Sequence, residues 1–146
     1  MDWTFVKPMV AAMLLGLVPP AFADSISATL YKNPNCGCCE EYTRHLEANG
    51  FDVEMVVTTD LGEIKERYNI PKQLLACHTT IIGNRVFEGH VPAEDIKRFM
   101  EHEPMVRGLA IPGMPVGTPG MPGRQRGPIE VFYLKDSDPP EVYATH

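Results

Sequence analysis

The sequence predicts a mixed α/β sandwich in the order β-α-β-α-β-β-α, and three observations predict it. Strand-like alternation over Ile26–Lys32 runs into a cysteine-rich turn and then a helical pattern. Two further apolar runs flank Gly83-Asn84, a hairpin signal. After Glu103 both periodicities stop and the chain becomes dense in Pro and Gly.

Each element has a local reason. Ile26–Lys32 alternates apolar residues and ends at a Pro-Asn turn. In the helical run beginning at Cys39, residues Cys39, Tyr42 and Leu46 share one face. Glu40 and Glu41 suit its first turn, and Gly50 closes it. Phe51–Val57 is a second strand, and Asp60 is placed to cap a helix over Leu61–Tyr68, which stops before Pro71. The stretch CHTTIIGNRVFEGH supplies the hairpin. PAEDIKRFMEHE then opens on Pro92 and carries Ile96, Phe99 and Met100 on one helical face. This order fits a thioredoxin-like sandwich, in which a parallel strand pair is extended by an antiparallel hairpin with helices on both sides. A Pro/Gly/Met-rich loop over 104–128 repeats Pro-Gly-Met-Pro at Pro112–Pro115 and Pro119–Pro122. Ile129–Asp136 reads as a late extra strand with a polar tail behind it, and the pattern assigns it no place in the sheet.

The segment 1–23 has the layout of a secretory signal peptide. Lys7 precedes an apolar stretch, Pro19-Pro20 makes a turn, and Ala21-Phe22-Ala23 predicts cleavage after Ala23. Its apolar run is about half of what a membrane span needs. Residues 24–146 then form a single domain, expected in the periplasm and off the membrane once the leader is cleaved. The leader holds one acid and one base, so the remainder keeps the formal charge of -6. That balance argues against nucleic acid as a partner. Export places the four cysteines in an oxidising compartment, where thiols tend to pair.

The chemistry concentrates in NPNCGCCEEY. Cys36 and Cys39 form a C-x-x-C pair at a helix start, where backbone amides favour thiolate over thiol. Thiolate is both the exchanging nucleophile and the metal ligand, so the pair alone does not choose. Cys38 lies inside the pair, and a third thiol there would scramble a simple exchange disulfide. Cys77 and His78 occupy the position at which a thioredoxin-like sandwich usually presents a proline to its C-x-x-C. Four thiolates favour soft ions, Cu(I) and zinc above all. Zinc fits less well, because a closed zinc site usually joins C-x2-C to a second close pair. Crowded sulfurs suit bridging of several cuprous ions. Two plain disulfides, for instance Cys36–Cys39 and Cys38–Cys77, are the bland alternative.

Met114 and Met121 stand in the matched Pro-Gly-Met-Pro turns, either as soft thioether ligands or as apolar pegs holding the loop. His78 and His90 are further candidate ligands, while His45, His102 and His146 read as bystanders. No Ser-His-Asp set, phosphate loop or paired-carboxylate signal stands out.

The segments CGCC, CHTTIIGNRVFEGHVP and RGLAIPGMPVGTPGM, in this order behind a signal peptide, resemble the CopG-type copper-resistance proteins. The likeness runs from Ser25 to about Tyr143. The resemblance implies a periplasmic thioredoxin-like protein, long described only as a domain of unknown function. It implies a cysteine-bridged copper cluster and a role in cycling copper between oxidation states. Carried over by motif, Cys36, Cys38, Cys39 and Cys77 are the thiolate ligands, and His90, Met114 and Met121 fall in the accompanying motifs. The expectation is therefore a copper-resistance protein holding Cu(I) in a multinuclear site and interconverting Cu(I) and Cu(II). Its partners are copper ions and other periplasmic copper-handling proteins. The alternatives are a thiol–disulfide oxidoreductase working through Cys36 and Cys39, and a passive copper carrier. Enzymatic turnover, as a copper oxidoreductase, is left open.

Overall fold

The alternation that marks Ile26–Lys32 and Phe51–Val57 as strands also lets them pair side by side, because both bury one side of the pleat. The computed structural model describes residues 24–103 and 105–146, so the signal-peptide expectation for 1–23 lies outside the described residues. In chain order the elements are β1 (Ile26–Lys32), α1 (Gly37–Ala48), β2 (Phe51–Val57) and α2 (Leu61–Arg67). A short 3-10 turn (Lys72–Leu74) follows, then β3 (His78–Ile82), β4 (Arg85–Glu88) and α3 (Ala93–His102). The chain ends with β5 (Gly108–Ala110), β6 (Glu130–Tyr133) and β7 (Val142–Thr145).

All seven strands join one mixed sheet in the order β2-β1-β3-β4-β5-β6-β7. β1 runs parallel to β2 and antiparallel to β3, with Lys32 opposite His78. The β3–β4 hairpin turns at Gly83, whose φ of +59° suits a residue without a Cβ. This is the thioredoxin-like arrangement: a parallel pair extended by an antiparallel hairpin. Successive residues of a strand point to opposite faces, and the two cores follow that rule. Phe87 and Leu109 pack with Tyr42 and Leu46 of α1 and Ile96 and Phe99 of α3. Val86 and Ala110, their chain neighbours, pack on the other face with Ile70, Leu74 and Leu134. Fully buried side chains such as Phe87, Phe99 and Leu46 each contribute about 1.5–3 kcal/mol of transfer free energy.

Several local expectations are corrected. Helix α1 starts at Gly37 rather than Cys39, with Cys36 at its N-cap position, so Cys38 and Cys39 both lie in its first turn. Asp60 sits at the N-cap of α2, yet its side chain makes no capping bond; Thr58 Oγ1 instead accepts its N–H at 3.0 Å. Met100 is exposed, and Asp95 goes inward alongside Ile96 and Phe99. It pairs there with Arg98 and with His146, whose Nε2 lies 2.6 Å from Asp95 Oδ2. His146 is thus a structural residue: it ties β7 to α3.

The late strand β6 does join the sheet, through β5, a strand with no periodic signal of its own. β5 exists because Gly108 lets the chain lie directly against β4. A Cβ on Gly108 would stand 1.6 Å from the Val86 carbonyl oxygen. Backbone cannot yield as a flexible side chain can, so Gly108→Ala is expected to lower stability by about 1–3 kcal/mol or more, as overpacking does. Chemical denaturation of the metal-free protein measures it, with Gly127→Ala, which meets open space, as the control.

Candidate metal centre

Antiparallel pairing of β1 with β3 brings the end of one and the start of the other to the same edge of the sheet. The turn after β1 carries Cys36, Cys38 and Cys39, and the bend before β3 carries Cys77. The four sulfurs gather within 4.8 Å of one another. Cys36 and Cys39 are joined as a disulfide, whereas Cys38 and Cys77 are free thiols. Of the two disulfides in the bland alternative, only the first is formed. Cys38 Sγ stands 3.5 Å from Cys36 Sγ and 3.7 Å from Cys77 Sγ.

A second group shares Cys77. His78 Nδ1 lies 3.1 Å and His90 Nε2 3.3 Å from its sulfur, and the three donor atoms also fall within 4.8 Å. Strand alternation does not separate Cys77 from His78, because Cys77 sits in the bend before the strand begins. His78 Nδ1 is also 3.5 Å from the buried Cys39 sulfur, and its buried Nε2 has no partner among the described residues. His90 is held by the loop: its Nδ1 lies 2.6 Å from the Pro119 carbonyl oxygen, which can only accept. The proton is therefore assigned to Nδ1, and the Nε2 lone pair is turned toward Cys77. Tyr42 walls the group from behind, with ring centroids 4.6 Å from His78 and 5.3 Å from His90. Its hydroxyl donates to the Val91 carbonyl at 2.7 Å.

The electrostatics favour ligands over free charges. Burial, then the neighbouring His90 and Lys65, holds His78 well below the usual imidazole range. Burial lowers His90 as well, against the opposing pull of its bond to Pro119. Burial and the adjacent Cys38 push the Cys77 thiol up to about 12. Both imidazoles are thus neutral, the form that binds metal, and Cys77 gives up its proton only when a cation replaces it. The donor set fits a soft cation: sulfur dominates, and every nitrogen is neutral.

The two Pro-Gly-Met-Pro turns have different surroundings. Gly113 N–H donates to the Leu75 carbonyl at 3.0 Å, which pulls the first turn toward the bend before Cys77. Met114 Sδ then stands 3.8 Å from Cys38 Sγ, exposed to solvent on one side. In the second turn Gly120, with φ of +81°, lies against α1, and a Cβ there would be 2.7 Å from the Tyr42 nitrogen. Met121 lines a separate cavity with Glu41 and Thr118. It is not among the residues that line the cavity over the sulfurs. A cavity of about 680 Å3 opens over Cys36, Cys38 and Cys77, with Met114 and Lys65 in its lining.

Sequence reasoning missed five contributors. Tyr42 reads as a core position and serves as the wall behind both imidazoles. The Pro119 carbonyl carries no side-chain signal at all. Lys65 and Glu88, buried together beneath the Cys77 bend, look like ordinary polar positions of a helix and a hairpin. His45, read as a bystander, accepts the Ala93 N–H at 3.1 Å and so helps start α3.

A thioredoxin-like domain whose exchange-centre position holds a sulfur cluster backed by imidazoles defines a soft-metal-binding class of that fold. The chain belongs to the CopG copper-resistance protein family. Two solved structures, forms 1 and 2 of a copper resistance protein CopG, are each 40% identical to it. Each match covers 84% of this chain and 98% of the other, with a TM-score of 0.77. The family model described as protein of unknown function DUF411 matches residues 74–121, the span from the Cys77 bend to the second Met turn. No curated protein matches the chain.

Because Gly120 is the point where the loop touches α1, Gly120→Ala is expected to lift Pro119 away from His90. Nitrogen-15 imidazole shifts should show a single Nδ1–H tautomer for His90 in the native chain and a tautomer mixture in the variant. An unchanged His90 spectrum would show that the loop does not set the tautomer.

Proposed function

We propose that this chain is a periplasmic copper-handling protein of copper resistance that holds Cu(I) in a multinuclear, cysteine-rich site and interconverts Cu(I) and Cu(II). The observation that carries the proposal is the shared sulfur of Cys77. It stands at once beside the free thiol of Cys38 and beside two neutral imidazole nitrogens. A thiolate can serve two ions, so a sulfur common to two donor groups suits more than one copper per chain. Cys36, Cys38, Cys39 and Cys77 supply thiolate once the Cys36–Cys39 pair is reduced. Met114 adds a thioether on the solvent side and His90 a nitrogen with its lone pair already aimed. His78 is a further nitrogen donor. Met121 belongs to the ligand set only if the second turn moves.

Two oxidation states follow from the mixed donors. Thiolate and thioether stabilise the cuprous ion, and imidazole tolerates the cupric one. The periplasmic assignment, with a single domain over 24–146, rests on the leader-like pattern of residues 1–23. Among the described residues no helix is long and apolar enough to cross a membrane.

A second reading is favoured by one specific observation. The disulfide joins a buried Cys39 to a half-buried Cys36 that faces the large cavity, the exposure pattern an exchange centre needs. Thiol–disulfide exchange then replaces or accompanies copper chemistry. A passive carrier would use the same ligands without turnover.

Anaerobic titration of the reduced chain lacking residues 1–23 tests the main proposal. It should take up more than one Cu(I) per chain, and Cys38→Ser should lower that number; unchanged uptake removes the shared-sulfur cluster. Electron paramagnetic resonance after air exposure should show a cupric signal if the site cycles and none if it only stores. If exchange is the activity instead, Cys36→Ser abolishes it and Cys38→Ser leaves it intact.

A further inference from the structure

The geometry points to Lys65 and Glu88 as positioning residues that hold Cys77 at the metal centre. The inference rests on the copper reading for its purpose, but its structural content is independent of it. Glu88 is fully buried at the end of β4, and the ammonium of Lys65 reaches it from α2 as an ion pair. The carboxylate also accepts from Thr79 Oγ1 at 2.6 Å and from the Ala76 N–H at 2.7 Å. Lys65 Nζ donates in turn to Thr79 Oγ1 at 3.0 Å. Every partner of this network belongs to α2, β3, β4 or the residue just before Cys77.

Energetics explain why such a pair calls for a purpose beyond stability. A buried ion pair is often no more stabilising than apolar residues of the same volume, because desolvation offsets the attraction. Here it fixes a piece of backbone that no regular element holds. Ala76 lies between the 3-10 turn and β3, and its other anchor is a single isolated bridge to Gly113. Directly above it, Gly89 allows the strand ends to close up. A Cβ there would be 2.7 Å from Ala76 Cβ and 2.5 Å from the Ile111 oxygen. The Gly89 N–H meets the His78 carbonyl at 3.0 Å. Thus Glu88, Gly89 and His90 act in succession: a clamp on the residue before Cys77, a close approach to it, and a nitrogen aimed at its sulfur. Lys65 completes the clamp and lines the cavity that Cys77 opens onto. Groups of this kind, which orient a ligand without touching the metal, commonly matter to affinity almost as much as ligands do.

The test uses Glu88→Gln, which keeps the shape and one acceptor oxygen but removes the charge. The double variant Lys65→Met/Glu88→Gln leaves no buried charge unpaired and serves if the single variant folds poorly. Two readouts are made on the folded, reduced chains. In competition with a chromogenic Cu(I) chelator, affinity should fall about 10- to 100-fold with unchanged stoichiometry. In the metal-free protein, iodoacetamide labelling followed by peptide mass spectrometry should show the Cys77-to-Cys38 rate ratio rising several-fold. A role confined to stability would lower the unfolding temperature and leave both readouts unmoved, which overturns the inference. Should the native chain take up no Cu(I), the copper reading fails by itself. The labelling ratio then still decides: a changed ratio supports positioning and a native-like ratio overturns it.

Discussion

The antiparallel register of β3 on β1 is the constraint on which the rest of the molecule depends. With Lys32 opposite His78, the turn leaving β1 and the bend entering β3 must lie side by side. No other pairing would bring Cys77 to the CGCC turn, which is nearly forty residues away along the chain. Register is expensive to change, because a one-residue slip would turn His78 and Thr80 away from the α1 face and expose what they bury. The sulfur site therefore inherits its geometry from backbone hydrogen bonds and not from the metal. It can be assembled before any ion arrives, and the ordering entropy is met by folding.

The two faces of the sheet divide the work at this edge. On the α1 face, His78 points toward Tyr42 and Cys39, and His90 joins it from the end of the hairpin. On the opposite face, Thr79 and Glu88, paired directly across β3 and β4, meet Lys65 of α2. Cys77 lies at the rim between them, so donors gather on one side and supporting charges on the other. The separation has a physical consequence. Lys65 brings a positive charge near the sulfurs without competing with a metal ion for the imidazoles, which are kept neutral by burial. The Pro/Gly-rich loop closes the site from outside through two of its glycines. Gly120 touches the backbone of α1, while Gly113 is bonded to the segment before Cys77.

Much of the architecture was legible in the sequence because its elements carry periodic signals. β1, β2, the β3–β4 hairpin and α3 all show alternation or a helical stripe, and each appears close to its expected bounds. Elements without a period were invisible. β5 is three residues long and exists only because β4 is there to pair with it; β7 lies in a polar tail whose strand character comes from β6. Residue roles followed the same division. The crowding of Cys36, Cys38 and Cys39 can be read locally, and the expected topology brings Cys77 to them. Asp95 and Glu88, in contrast, are polar residues in polar-looking positions, and burial with a partner from a distant segment cannot be seen along the chain. Met114 and Met121 show the limit most clearly: identical tetrapeptides place one sulfur beside Cys38 and the other in a different cavity.

That asymmetry bears on what the cysteine turn can do. An exchange centre works best with two sulfurs and a clear approach for a partner's thiol. Here the approach to Cys36 is flanked by the free thiol of Cys38, with the Met114 thioether just beyond it. A thioether cannot form a disulfide, so it adds nothing to exchange, whereas it is a usable soft ligand. The third thiol has the opposite weakness in exchange, since it lies 3.5 Å from the sulfur that a partner would attack. Both features detract from a disulfide enzyme and both add soft donors to a metal site. The C-x-x-C turn thus occupies the exchange-centre position of the fold, while the sulfurs beside it favour metal binding over exchange.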